Sequence, residues 1–263
     1  MFNNSPIGIF DSGIGGTSIW KEIHSLLPFE NTVYLADSIN APYGYKPIDD
    51  IISLSVKNTE LLIDMGCKII VVACNTATTN AISILREKFN IPIIGIEPAI
   101  KPAALKTKSK SIGILATKGT LNSSLFISTT GELTTDISII EVIGEGLVPL
   151  IEKGKVNSEE TLKLLKKYLQ PMLKANVDHL VLGCSHYPYL IPLLKKILPE
   201  KITIIDSGEA IARQTKSVLE LNDLLSISND KPKLQFYSNS DIKTLELFLK
   251  NYSSNIIIHK KMF

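Results

Sequence analysis

Short apolar runs alternate with longer amphipathic segments along nearly the whole chain. Residues 7–10, 32–36, 68–73, 91–95, 111–115, 137–142, 179–182 and 202–205 have the length and aliphatic content of buried strands. The segments between them keep helical spacing. In 49–65, Ile51, Leu54, Leu61, Leu62 and Met65 share one face, and in 159–174 Leu162, Leu165, Leu169, Met172 and Leu173 do the same. Pro171 inside the second segment predicts a kink or a break. This alternation predicts an α/β protein with mostly parallel strands covered by helices.

The pattern repeats. Ile7-Gly8-Ile9-Phe10-Asp11-Ser12-Gly13 resembles Ile112-Gly113-Ile114-Leu115-Ala116-Thr117-Lys118-Gly119. Each stretch is succeeded, at a similar distance, by an apolar run ending in a cysteine: Val71-Val72-Ala73-Cys74-Asn75-Thr76 and Leu180-Val181-Leu182-Gly183-Cys184-Ser185-His186. Two pseudo-symmetric α/β halves are the expected architecture, with residues 99–111 crossing between them. Beyond a helix over 209–221 and a polar loop around 226–232, the chain ends in a strand-helix-strand tail. Spacing alone does not place this tail, and packing back on the first half is the simplest expectation.

With 263 residues, 44% of them hydrophobic, the chain can bury a full core. Its 28 Lys and Arg nearly balance 26 Asp and Glu, so neither nucleic acid nor a membrane surface is the expected partner. Three cysteines with no Cys-x-x-Cys pair argue against a disulfide framework or a structural zinc site, and for a reducing cytoplasm. The opening Met1–Pro6 stretch has no signal-peptide character, and no run approaches the ~20 apolar residues of a membrane helix.

The candidate chemistry sits at the two cysteines. A strand end leading into a helix start is where open α/β sheets hold ligands, and where a thiol is readily ionised. Two thiols in matching contexts could form a redox pair or ligate a metal, but no redox motif and no further ligands at diagnostic spacing accompany them. Two acid/base groups on opposite faces of a planar intermediate fit the symmetry better. One removes a proton, the other returns one, and a stereocentre is inverted. An ordinary thiol pKa of about 8.5 means that each needs help. Asp11 is placed to assist Cys74, and His186 to assist Cys184. Asn75, Thr76 and Ser185 offer carboxylate anchors at the helix starts. Cys67 reads as a buried apolar residue, and His24, His179 and His259 as structural or exposed. The loop 11–17 is glycine-rich, but an acid precedes it and it lacks both the dinucleotide fingerprint and a Gly-Lys-Ser/Thr ending, which argues against nucleotide binding.

Four motifs together, Phe10 to Gly16, Ala41-Pro42-Tyr43-Gly44, Ala73 to Ala77 and Gly183 to Pro188, resemble the glutamate racemases of the cofactor-independent Asp/Glu racemase family. The resemblance runs from about residue 7 to 213. It implies interconversion of L- and D-glutamate without cofactor or metal, in a cleft between two α/β domains. These would comprise residues 1–98 with 207–263, and residues 99–206. It implies Cys74 facing D-glutamate and Cys184 facing L-glutamate, supported by Asp11 and His186, with Glu152 behind His186. Ser12, Pro42, Tyr43, Gly44, Asn75, Thr76, Thr117, Ser185 and His186 would line the pocket. The implied product supplies peptidoglycan synthesis, and the implied partners are the small-molecule substrate and, as an option, a second copy of the chain. The family usually carries threonine where Ser185 stands, so a looser pocket with the same reaction is expected. An aspartate racemase, a Cys184-His186 hydrolase and a carboxylate-binding protein are the alternatives.

Overall fold

The computed structural model describes residues 3–133, 136–252 and 255–263; Met1 and Phe2 of the N-terminal stretch, Thr134 and Thr135, and Ser253 and Ser254 of the tail lie outside the described residues. The first part of the chain forms β1 (Ile7–Asp11), α1 (Thr17–Leu26), β2 (Thr32–Ala36), α2 (Ile48–Asp64), β3 (Ile69–Val72), α3 (Asn75–Lys88) and β4 (Ile93–Gly95). α4 (Ile100–Lys106) makes the crossing. Next come β5 (Ser111–Ala116), α5 (Lys118–Leu121), α6 (Ser124–Gly131), β6 (Ser138–Ile143), α7 (Leu147–Glu152), α8 (Glu159–Lys174), β7 (His179–Gly183), α9 (Ile191–Ile197) and β8 (Thr203–Ile205). The chain closes with α10 (Gly208–Leu221), β9 (Leu234–Ser238), α11 (Lys243–Leu249) and β10 (Ile256–Lys260). Each of the eight strands expected from the apolar runs is present, with ends shifted by at most two residues.

Two sheets result. The first has the order β10-β9-β2-β1-β3-β4 and the second β6-β5-β7-β8. Every pairing among the described strands is parallel. The segment β2-β1-β3-β4 matches β6-β5-β7-β8 position for position, which is the internal repeat expressed as topology. In each sheet the chain reverses its winding beside the opening strand, between β1 and β3 and between β5 and β7. A crevice opens at the carboxyl ends of the strands at such a reversal. Asp11 and Cys74 leave the first crevice, Thr117 and Cys184 the second.

The central strands β1, β2, β3, β5 and β7 are buried along their whole length, so both faces must be covered. One apolar cluster joins the halves, from Ile7, Ile9 and Val71 in the first sheet to Leu180 and Leu182 in the second, through α1, α8 and α10. The opposite face of each sheet has its own cluster, around Phe10, Val72 and Leu85 in one and Ile112, Ile114 and Val181 in the other.

Of the kink or break expected at Pro171, the break does not occur, because α8 continues to Lys174. Pro171 removes one hydrogen bond near the helix end, while its own carbonyl still accepts from Ala175 at 3.0 Å. Leu165, Leu169 and Met172 are buried beneath it, and the Met172 sulfur lies 2.7 Å from where a Cβ on Gly113 would stand. Packing on β5 therefore holds the last turn against the proline's preference.

The tail extends the first sheet. β9 pairs with β2 in register from Thr32 with Leu234 to Ala36 with Ser238, and β10 pairs outside β9. Phe236 is fully buried, stacked on Tyr34 at 5.2 Å and edge-on to Trp20 at 4.9 Å. Phe236→Ala is therefore expected to destabilise the protein by about 3–5 kcal/mol in urea unfolding. A loss below about 1 kcal/mol would mean that the tail is peripheral to the core.

Candidate active site

The site begins with Asp11, the last residue of β1, which is fully buried. Its Oδ2 accepts the Gly16 N–H at 2.9 Å and the Gly13 N–H at 3.3 Å, so the chain's own carboxylate fills the turn that leads into α1. Oδ1 accepts the Ser185 hydroxyl at 3.1 Å, from the second half. The next free amide of the loop, Ile14 N–H, donates to Glu152 Oε1 at 2.8 Å. A glycine-rich turn whose amides already hold two carboxylates has little left for a phosphate.

Glu152 ends α7 and meets His186 Nε2 at 2.5 Å. The other ring nitrogen, Nδ1, lies 3.8 Å from Cys184 Sγ, 3.4 Å from Ser185 Oγ and 4.0 Å from Asp11 Oδ2. His186 is thus buried between two carboxylates and a thiol. Burial alone lowers an imidazolium's pKa; here the hydrogen bonds to Cys184 and Glu152 and the charges of Asp11 and Glu152 outweigh it, and His186 is held well above the usual histidine range. Asp11 is raised by burial, and His186, the Gly16 N–H and the Ser185 hydroxyl pull it back only in part.

Close approach explains two glycines. A Cβ on Gly13 would lie 1.9 Å from Glu152 Oε1, and one on Gly15 2.2 Å from His186 Nδ1. Any side chain there would push the two halves apart. The glycine pattern is visible in the sequence, but its role is legible only once Glu152 and His186 are known to face the loop.

The two thiols are buried and free of disulfide, and both line one small cavity. Ser12, Pro42, Tyr43, Gly44, Asn75, Thr76, Thr117, Ser185 and His186 line it with them, so the residues expected from distant parts of the sequence meet. Asp11 and Glu152 are the two expected residues that stand behind this lining. Val148, one helical turn before Glu152, also joins the wall, and no pattern in the sequence marks it. The cavity has about 10 Å³ of free space, room for about one water. Larger molecules enter only if the walls part. The wall is closed across the halves by Thr76 and Thr117, whose hydroxyls are 2.8 Å apart, and by Ser18, which donates to the Ser185 carbonyl at 2.8 Å.

The thiols are not equivalent. Cys74 is the N-cap of α3, a 14-residue helix. Cys184 precedes only a 3-10 turn, Tyr187–Leu190, which carries Pro188 and leads into α9. The helix start expected after each cysteine is therefore regular at one and not the other. Its expected effect on Cys74 is also overridden. Burial, then the Asp11 charge, pushes the Cys74 thiol well above its ordinary range, against the opposing Ala77 N–H and the Ser12 hydroxyl at 3.7 Å. Asn75 Oδ1, beside Cys74, is buried with no hydrogen-bond partner among the described residues.

The remaining candidates fall into place as structure. Burial pushes the Cys67 thiol up to about 12. His179 pairs with Asp178 at 2.7 Å, His24 stacks on Trp20 and His259 on Tyr237. Among the described residues, no group of three or more His, Cys, Asp or Glu side chains is arranged to hold a metal, and no helix is long and apolar enough to cross a membrane.

The fold and the site together define paired α/β units that each deliver a thiol to one shared cavity. A sequence model of the family described as Asp/Glu/Hydantoin racemase matches residues 15–215, and the chain belongs to that family and is a racemase. It is 44% identical over 242 residues to a glutamate racemase of Ralstonia pickettii, covering 92% of this chain and 86% of the relative. Two solved structures each align over 98% of both chains. The glutamate racemase of Escherichia coli with L-glutamate and the activator UDP-MurNAc-Ala is 33% identical with a TM-score of 0.85. That of Francisella tularensis with D-glutamate is 30% identical with a TM-score of 0.83.

Because folded His186 titrates above its unfolded value, the stability it contributes is complete below about pH 6.5 and is lost as pH rises through the higher folded value. Glu152→Gln removes one of the charges responsible. Its deficit in melting temperature should therefore be largest near pH 6 and shrink as pH rises well above the ordinary histidine range. Equal deficits at both ends would place the stabilisation elsewhere.

Proposed function

We propose that the chain interconverts L- and D-glutamate with Cys74 and Cys184 as the acid/base pair. The observation that carries this reading is the pair of buried thiols leaving equivalent strand ends, β3 and β7, and lining one cavity. In one direction the Cys74 thiolate takes the α-proton of D-glutamate, the electron pair stays on the α-carbon, and the Cys184 thiol delivers its proton to the opposite face. The reverse direction exchanges the roles. The solved structures of relatives hold L-glutamate in one case and D-glutamate in the other, which supports the choice of substrate.

The raised Cys74 thiol gives the substrate a part in the chemistry. Asp11 disfavours the thiolate. A substrate α-ammonium brought near Asp11 and the unpaired Asn75 Oδ1 offsets that charge, so the base forms when there is a proton for it to take. On the other side His186, held well above the usual histidine range, has Nδ1 3.8 Å from Cys184 Sγ and is placed to support it as acid or base. Backbone amides at the start of α3 and the hydroxyls of Ser12, Thr76, Thr117 and Ser185 hold the two carboxylates and meet the charge that develops at the α-carbon. The cavity is too small for glutamate as it stands, so binding parts residues 1–98 and 207–263 from residues 99–206, and reclosure excludes water. The product, D-glutamate, supplies peptidoglycan synthesis in the cytoplasm.

In deuterated water either glutamate enantiomer should lose optical activity and gain deuterium at the α-carbon without added cofactor. Cys74→Ala and Cys184→Ala should each lose at least about 10²-fold in racemisation. Full activity in both would end the two-thiol reading, preferential turnover of aspartate would move the substrate, and a covalent acyl adduct on Cys184 would favour a hydrolase. Since the free-enzyme Cys74 thiol is raised, kcat/KM for D-glutamate should still be climbing above about pH 8.5; a plateau below that value would contradict this role for Cys74.

A further inference from the structure

A second carboxylate is buried at a strand end of the first sheet. Asp37 comes directly after β2 as Asp11 ends β1, and its N–H donates to the Asp11 carbonyl at 3.0 Å. It is 2% exposed, and no Lys, Arg or His lies within ion-pair distance among the described residues. Its partners are neutral donors. The Tyr43 hydroxyl donates to Oδ2 at 2.5 Å, Asn239 Nδ2 to Oδ1 at 2.6 Å, Asn40 Nδ2 to Oδ1 at 2.8 Å and Asn58 Nδ2 to Oδ2 at 3.5 Å. Asn58 also donates to the Tyr43 hydroxyl at 3.1 Å. Tyr43, Asn58 and Asn239 are each 1% exposed.

A buried carboxylate without a cation is costly, and every donor around it is oriented by it. What this cluster orients is the wall of the cavity. Tyr43 is anchored by its hydroxyl, and Pro42, Tyr43 and Gly44 line the site. Gly44 meets Thr117 so closely that a Cβ there would lie 2.9 Å from the Thr117 Cβ. Asn239 holds both ends of the turn that leads to this wall, since it donates to Asp37 and its Oδ1 accepts the Ile39 N–H at 2.9 Å. The register of β9 beside β2 brings it there, with Ser238 opposite Ala36 and Asn239 next to Asp37.

We propose that Asn239, from the far C-terminal part of the chain, is a positioning residue for the substrate pocket: through Asp37 it holds the Tyr43 wall where it meets Thr117. The inference rests on the glutamate reading of that pocket for its kinetic consequence. The wall touches the bound amino acid before and during the reaction alike, so loosening it weakens binding more than turnover.

Asn239→Ala should raise KM for both glutamate enantiomers at least about tenfold with kcat within about threefold. Amide hydrogen exchange across residues 38–46 should rise with it. Asn239→Asp, which keeps the side chain's size, serves if the alanine variant does not fold; it sets two carboxyls together and should raise KM more strongly as pH increases. The charge exchange Asp37→Asn with Asn239→Asp lets the amide at 37 donate to the carboxylate at 239, which still accepts from Ile39. KM should return to within about threefold of the parent. Unchanged KM and unchanged exchange in Asn239→Ala would overturn the proposal. So would a fall in kcat at constant KM, or a double variant no better than Asp37→Asn alone. If the parent protein turns over neither enantiomer, the glutamate reading falls, and exchange across 38–46 still decides whether Asn239 positions the wall.

Discussion

Everything around the cavity depends on one cluster of charge, buried Asp11 and His186 with part-buried Glu152, shared between the two halves. Asp11 comes from β1, His186 from the turn after β7 and Glu152 from α7, and the two buried members cannot be left unpaired. The glycine loop of the first half is tied to this cluster by the Ile14 N–H on Glu152 and by the Ser185 hydroxyl on Asp11. Gly13 and Gly15 are the steric condition for this tie, because a Cβ at either would collide with the very groups that pair.

The duplication supplies symmetry, and local chemistry breaks it. Both halves deliver a cysteine at the winding reversal of a parallel sheet. Cys74 opens a long helix and has Asp11 nearby; Cys184 opens a proline-shaped turn and has an imidazole at its side. A proton relay that runs in both directions needs two groups that can each give and take. It does not need them tuned by the same device. Burial raises Cys74 strongly enough that the helix start alone does not ionise it.

The tail shows how a distant segment becomes part of that arrangement. β9 and β10 cover the outer side of β2, Phe236 joins the aromatic core with Trp20 and Tyr34, and Asn239 reaches the carboxylate at the end of β2. The first sheet is six strands wide where the second is four, and the extra pair stands next to the strand whose succeeding turn forms the pocket wall.

The strands, the repeat and the two cysteines are legible in the sequence because a parallel strand buried on both faces must be apolar throughout, and a thiol at its end stands out against that run. The resemblance to the racemases adds Glu152, Thr117 and the Pro42-Tyr43-Gly44 wall, which no local pattern marks. Pro171 reads as a kink or break because its local preference is plain, while the packing of Met172 against Gly113 is not visible in one segment. The tail packs on the first half as expected, but the edge and register it takes there, the glycine approach and the Asp37–Asn239 cluster are equally out of reach. Each depends on which edge of a sheet accepts a strand and on distances between residues far apart in the chain. Linear pattern sets what a segment must bury; only the assembled sheets decide which polar groups then meet, and so which of them act.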